Sequence, residues 1–91
     1  MDEAITKWRS EIDEINSKIL DLLNKRIEIV KKIGKRKKQL GIPIVDAKRE
    51  KEIYEKLDKL ADEKKLDRSF VKEIFKRIID EAIKEEKCQK A

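Results

Sequence analysis

Near the start of the chain the apolar residues Ile5, Trp8, Ile12, Ile15, Ile19, Leu22, Ile29 and Ile33 recur in steps of three and four, with one member of the series, position 26, missing. That spacing is the seam of an amphipathic helix, because residues three and four apart stand on one helical face. No proline interrupts it between Ala4 and Gln39. Gly34 is a weak point, costing about 1 kcal/mol relative to Ala in a helix interior. The better stop is Gly41-Ile42-Pro43, so the helix is expected to run through Gly34. Such a helix is about 52 Å long.

Asp46, three residues past Pro43, is a good N-cap for a second helix carrying Ile53, Tyr54, Leu57, Leu60 and Ala61 on its apolar face and fading near Lys64. Asp67 caps a third, with the stripe Val71, Ile74, Phe75, Ile78, Ile79, Ala82 and Ile83. The end from Lys84 onward is expected to fray. The fold class is therefore all-α, a single domain over 1–91, with one long and two shorter helices. The shorter helices come to about 28 and 30 Å. A monomeric bundle would leave half of the long seam bare, which small proteins seldom tolerate. The seam predicts a partner helix, most simply that of a second copy in an isologous homodimer.

Composition narrows the chemistry. The 91 residues hold 2 Gly and 1 Pro, too little turn material for a β-sandwich or barrel. With His 0 there is no His-based triad, proton shuttle or His-ligated metal, and the single Cys88 excludes an intrachain disulfide or thiolate cluster, so no metal and no cofactor are expected. The net charge of +5 raises the question of nucleic acid, but 25 basic residues are interleaved with 20 acidic ones, as on a solvated helix surface. Lys and Glu enrichment hints at a thermophilic source. No apolar run spans a bilayer and the Met-Asp-Glu-Ala start carries no secretory signal, so a cytoplasmic protein without a membrane partner is expected.

Charges stand where apolar residues belong. Arg26 fills the gap in the seam, and Lys37, eleven residues on, falls within about 20° of it around the helix. Glu50 precedes Ile53 and Tyr54 by three and four, and Glu86 follows Ala82 by four and Ile79 by seven. Each has a plain explanation: a register-setting seam Arg, a cation near a helix C-terminus, an acid in a first turn, an exposed terminal Glu. Together they suggest a polar pocket, because unpaired buried charge is costly. Its basic members suit an anionic ligand. No nucleophile with a base and no phosphate-cradling glycine loop accompanies them, so an enzyme built this way works by positioning and electrostatics.

The ordered set Arg9-x-x-Ile12-Asp13, Ile19-Leu20-x-Leu22-Leu23-x-x-Arg26, Gly34-Lys35-x-Lys37, Pro43-x-x-Asp46-x-x-Arg49-Glu50 and Ile74-Phe75-x-x-Ile78-Ile79 resembles the all-helical chorismate mutases. The resemblance covers about Lys7 to Glu86. It implies an intertwined homodimer that rearranges chorismate to prephenate in aromatic amino-acid biosynthesis. Arg26 would hold a substrate carboxylate, and Arg9 would do so in the partner's site. Lys37 would bind the ether oxygen and a carboxylate. The Asp46 region and Glu50 would hold the ring hydroxyl, with Arg49 supporting the carboxylate cluster. Ile33, Ile53, Ile79 and Ile83 match the apolar wall. Ala82 stands where bacterial members have a Ser that assists a carboxylate. Glu86 stands where they have a Gln that donates to the ether oxygen, as in the fungal branch.

The implied reaction is an intramolecular pericyclic rearrangement, which needs no covalent catalysis and suits a chain without His. Three other readings remain at this point: an isochorismate pyruvate-lyase of the same fold, a non-catalytic helical dimerisation module, and a weak basic nucleic-acid binder.

Overall fold

The computed structural model describes residues 2–90 as three helices, α1 (Glu3–Leu40), α2 (Ala47–Glu63) and α3 (Arg68–Lys87). Each starts at an Asp. Asp2 accepts from the Ala4 and Ile5 amides at 2.8 and 3.1 Å, Asp46 from Arg49 N at 3.0 Å, and Asp67 from Phe70 N at 3.2 Å. These side chains satisfy amides that the first helical turn leaves without partners.

Helix α1 passes through Gly34 unbroken and ends at Gly41, whose φ of 69° is the left-handed conformation glycine adopts without a steric penalty. Gly41 N–H donates to the Lys38 carbonyl at 3.3 Å and Ile42 N–H to that of Lys37 at 3.0 Å. This is a Schellman motif. The same pattern closes α2, where Lys65 N–H reaches the Asp62 carbonyl and Leu66 N–H that of Ala61. There the left-handed residue is Lys65, at φ 57°.

Helix α3 packs against both α1 and α2. Among the described residues the buried apolar side chains are few: Val30, Leu57, Ala61 and Ile79. The N-terminal two thirds of the α1 seam is open in the single chain, with Trp8 59% exposed and Ile12 and Ile15 each 54%. The longest dimension, 58 Å, is about the length of α1 itself. Among the described residues no helix is long and apolar enough to cross a membrane.

The expectation that the chain frays from Lys84 is corrected. Helix α3 continues to Lys87, and Glu86 is buried at 7% exposure. The last turn persists because α1 grips it: Lys38 Nζ donates to the carbonyls of Lys87, at 2.5 Å, and Gln89.

Candidate active site

A cavity of about 130 Å³ opens where the three helices converge. Val30, Ile33 and Lys37 line it from α1, Ile44 and Asp46 from the connection, Arg49, Glu50 and Ile53 from α2, and Ile79, Ala82, Ile83 and Glu86 from α3. The spacing explains the convergence. Val30, Ile33 and Lys37 are three and seven apart, as are Ile79, Ala82 and Glu86, while Asp46, Glu50 and Ile53 are four and seven apart. Each set is one face of its helix.

The centre of the site is ionic. Lys37 Nζ lies 3.1 Å from Glu86 Oε1, both side chains being mostly covered. The same ammonium donates to the Ile44 carbonyl at 2.8 Å. An ammonium has three protons, so it keeps donor capacity for a ligand. Glu50 is half-buried on the opposite helix. The guanidinium of Arg49 is turned toward Glu52, 3.6 Å away on the exposed side. Among the described residues no cluster of His, Cys, Asp or Glu is arranged to hold a metal ion.

Most of the residues singled out in the sequence thus meet in one cavity: Lys37, Asp46, Arg49, Glu50 and Glu86, with Ala82 and the wall residues Ile33, Ile53, Ile79 and Ile83. Two do not. Arg26 is half-buried in an adjoining apolar groove of about 510 Å³, with Ile19, Leu23 and Ile27 of α1 and Ile74 and Ile78 of α3. Ala82 borders both spaces. Arg9 is exposed on α1, 28 residues before Lys37 and therefore about 42 Å away along the helix.

Sequence reasoning missed Val30 and Ile44. Val30 lies beside the seam, four residues after Arg26 and three before Ile33, so the spacing to those two could have flagged it. Ile44 contributes a backbone carbonyl, which no side-chain pattern advertises.

An all-helical chain that brings a lysine, an arginine and three carboxylates to one small cavity defines a class of helical proteins with a charged pocket where three helices converge. Its particular family follows from comparison: residues 8–87 match chorismate mutase type II, and the chain belongs to that family. It is 41% identical over 80 residues to a chorismate mutase of Methanocaldococcus jannaschii, covering 88% of this chain and 81% of that one. It is 43% identical over 58 residues to a bifunctional chorismate mutase/prephenate dehydratase of Aquifex aeolicus, covering 64% of this chain but 16% of that longer protein. A solved structure of a conserved hypothetical protein from Pyrococcus furiosus superposes with a TM-score of 0.77 at 36% identity, over 94% of this chain and 99% of that one.

Proposed function

We infer that this chain is a chorismate mutase, which rearranges chorismate to prephenate in the synthesis of aromatic amino acids. The observation that carries the reading is the covered Lys37–Glu86 pair at the wall of a cavity built by all three helices, in a chain of the chorismate mutase type II family. Relatives that join this activity to prephenate dehydratase support the same pathway.

The working assembly is a cytoplasmic homodimer with two equivalent sites. A bare seam from Ile5 to Leu22 favours a second copy as its cover. About 42 Å of helix separates Arg9 from Lys37, too far for Arg9 to reach the cavity of its own chain. Arg9 therefore serves the partner's site, and Arg26, at the edge of the adjoining groove, holds a second carboxylate.

The chemistry follows from charge. Chorismate is a dianion whose reactive conformer is folded, and cations at both carboxylates hold it in that shape, removing conformational freedom before the barrier is climbed. As the carbon–oxygen bond breaks, negative charge grows on the ether oxygen. An N–H of Lys37 stabilises it, together with Glu86 when its carboxyl is protonated. Glu50 and the Asp46 segment take the ring hydroxyl, Arg49 supports the carboxylates, and Ile33, Ile53, Ile79 and Ile83 enclose the ring. A millionfold acceleration requires about 8 kcal/mol, within reach of a few charge-assisted hydrogen bonds that strengthen in the transition state.

The test is loss of chorismate absorbance with purified protein and formation of prephenate. Turnover of isochorismate to the exclusion of chorismate would reassign the chain to a lyase, and no turnover of either would remove the enzymatic reading.

A further inference from the structure

Glu86 is the second-last residue of α3, where helices ordinarily fray, yet it is 7% exposed. Two residues of α1 account for this. A Cβ built on Gly34 would lie 2.6 Å from Glu86 Cα, 2.9 Å from its carbonyl oxygen and 3.0 Å from its Cβ. The two backbones therefore meet at a place where only glycine fits. Four residues on, and so on the same face of α1, Lys38 Nζ donates to the carbonyls of Lys87 and Gln89. Carbonyls at the end of a helix lack intrahelical partners, and a cation there also meets the negative end of the helix dipole.

We propose that Gly34 and Lys38 are positioning residues that clamp the last turn of α3 and so hold the Glu86 carboxyl in the cavity against Lys37. The proposal rests on the reading of Glu86 as a working group of the active site. Gly34 sets how close α3 comes, and Lys38 stops its end from unwinding. Neither lines the cavity, so both act through Glu86. Lys37, between them in sequence, meets the Glu86 side chain that the clamp presents. The three residues have distinct parts: Gly34 allows the backbone contact, Lys37 pairs with the side chain, and Lys38 caps the helix end.

The experiment uses the whole chain. Lys38→Met keeps the aliphatic stem and removes the donor, Lys38→Arg restores a donor, and Gly34→Ala tests the backbone contact. Two quantities are read: amide hydrogen exchange along α3, and kcat and KM for chorismate in the parent and in a Glu86→Ala background. In Lys38→Met, exchange at the Cys88 and Gln89 amides should quicken by about tenfold while the middle of α3 is unchanged. Assayed in acid, where the Glu86 carboxyl can donate, the same variant should lose about ten- to a hundredfold in kcat with little change in KM, since a small misplacement of a reacting group is costly. Lys38→Arg should recover most of both. In the Glu86→Ala background Lys38→Met should cost nothing more, because residues acting through one group are not additive. An equal loss in both backgrounds overturns the proposal, as does unchanged exchange in Lys38→Met. If Gly34→Ala does not fold, the Lys38 variants carry the test alone. A wild type that does not turn over chorismate overturns the proposed function instead, and the exchange measurement then decides whether the clamp exists.

Discussion

Lys37 Nζ stands 3.1 Å from Glu86 Oε1, across the interface between α1 and α3, and is held from the other side by the Ile44 carbonyl at 2.8 Å. The ammonium is thereby oriented before any ligand arrives, which removes part of the ordering cost that a free lysine would incur on binding. The pair also links site and fold. Breaking a covered ion pair by removing one partner typically costs about 3–5 kcal/mol, because the other charge is left buried. Loss of activity in a Lys37 or Glu86 variant is therefore interpretable only beside a measurement of folding.

If the site is shared between two copies, complementation is its signature. Arg9→Ala and Arg26→Ala are each expected to be nearly inactive alone. After mixing, unfolding and refolding, a heterodimer has one site with both arginines replaced and one with both intact. Random pairing makes about half of the dimers heterodimers, so recovery to about a quarter of wild-type activity is expected, given the two equivalent sites of an isologous dimer. Mixtures that form dimers by sedimentation yet remain inactive would argue that Arg9 does not act in trans.

Much of this arrangement was legible in the sequence, because helix faces and helix starts leave local marks. The three-and-four spacing from Ile5 to Ile33 and the Asp46 and Asp67 caps located α1, α2 and the start of α3 to within a residue or two. The inward charges Lys37, Glu50 and Glu86 meet in the same cavity. What escaped is non-local. Gly34 read as a cost to α1, and its reason is a backbone that follows it by about fifty residues. The end of α3 read as frayed because the lysine that caps it lies on another helix. Lys65 carries no sign of its left-handed conformation, which glycine would have advertised.

Lys65 gives a stability prediction. A residue with a Cβ in the left-handed region costs about 1–2 kcal/mol relative to its ordinary conformation, and glycine avoids that cost while adding some unfolded-state entropy. Lys65→Gly is expected to stabilise the protein by about 1 kcal/mol, read as a higher denaturant midpoint with an unchanged slope. A lower midpoint would mean that the Lys65 side chain contributes more than its backbone costs.

The turn between α2 and α3 also carries a pH-sensitive contact. Arg68 Nε and Nη2 donate to the two Asp62 oxygens at 2.9 and 2.5 Å. These hydrogen bonds, and then the guanidinium charge, hold the Asp62 carboxyl below its ordinary value. A lowered carboxylate pKa contributes stability above the unfolded value and loses it as pH falls through the folded one. The wild type should therefore melt above Asp62→Asn at pH 6, and the gap should close as pH falls below the ordinary carboxylate range. The difference is expected to be small, because exposed pairs are well screened. A gap in melting temperature that widens on acidification would contradict this account.

Glu86 yields the most direct test of mechanism. Paired with Lys37, its carboxylate answers a positive charge, whereas an ether oxygen gaining negative charge requires a donor. An ionised carboxylate cannot donate and would repel that charge, while a protonated carboxyl can donate. The protonated form is then the fully active one, so catalytic efficiency should be higher in acid than in base. Glu86→Gln keeps the shape and supplies an amide donor at every pH. The variant is expected to show a flat profile and higher activity at neutral pH, by about tenfold or more on the scale of general-acid and oxyanion contributions. The measurement is kcat/KM for both proteins from about pH 4.5 to 8.5, running from just above the ordinary carboxyl value well into the range where carboxylates are ionised. A wild type that is already flat, or a variant that declines in parallel with it, would show that Glu86 is not the donor and leave Lys37 to stabilise the breaking bond alone.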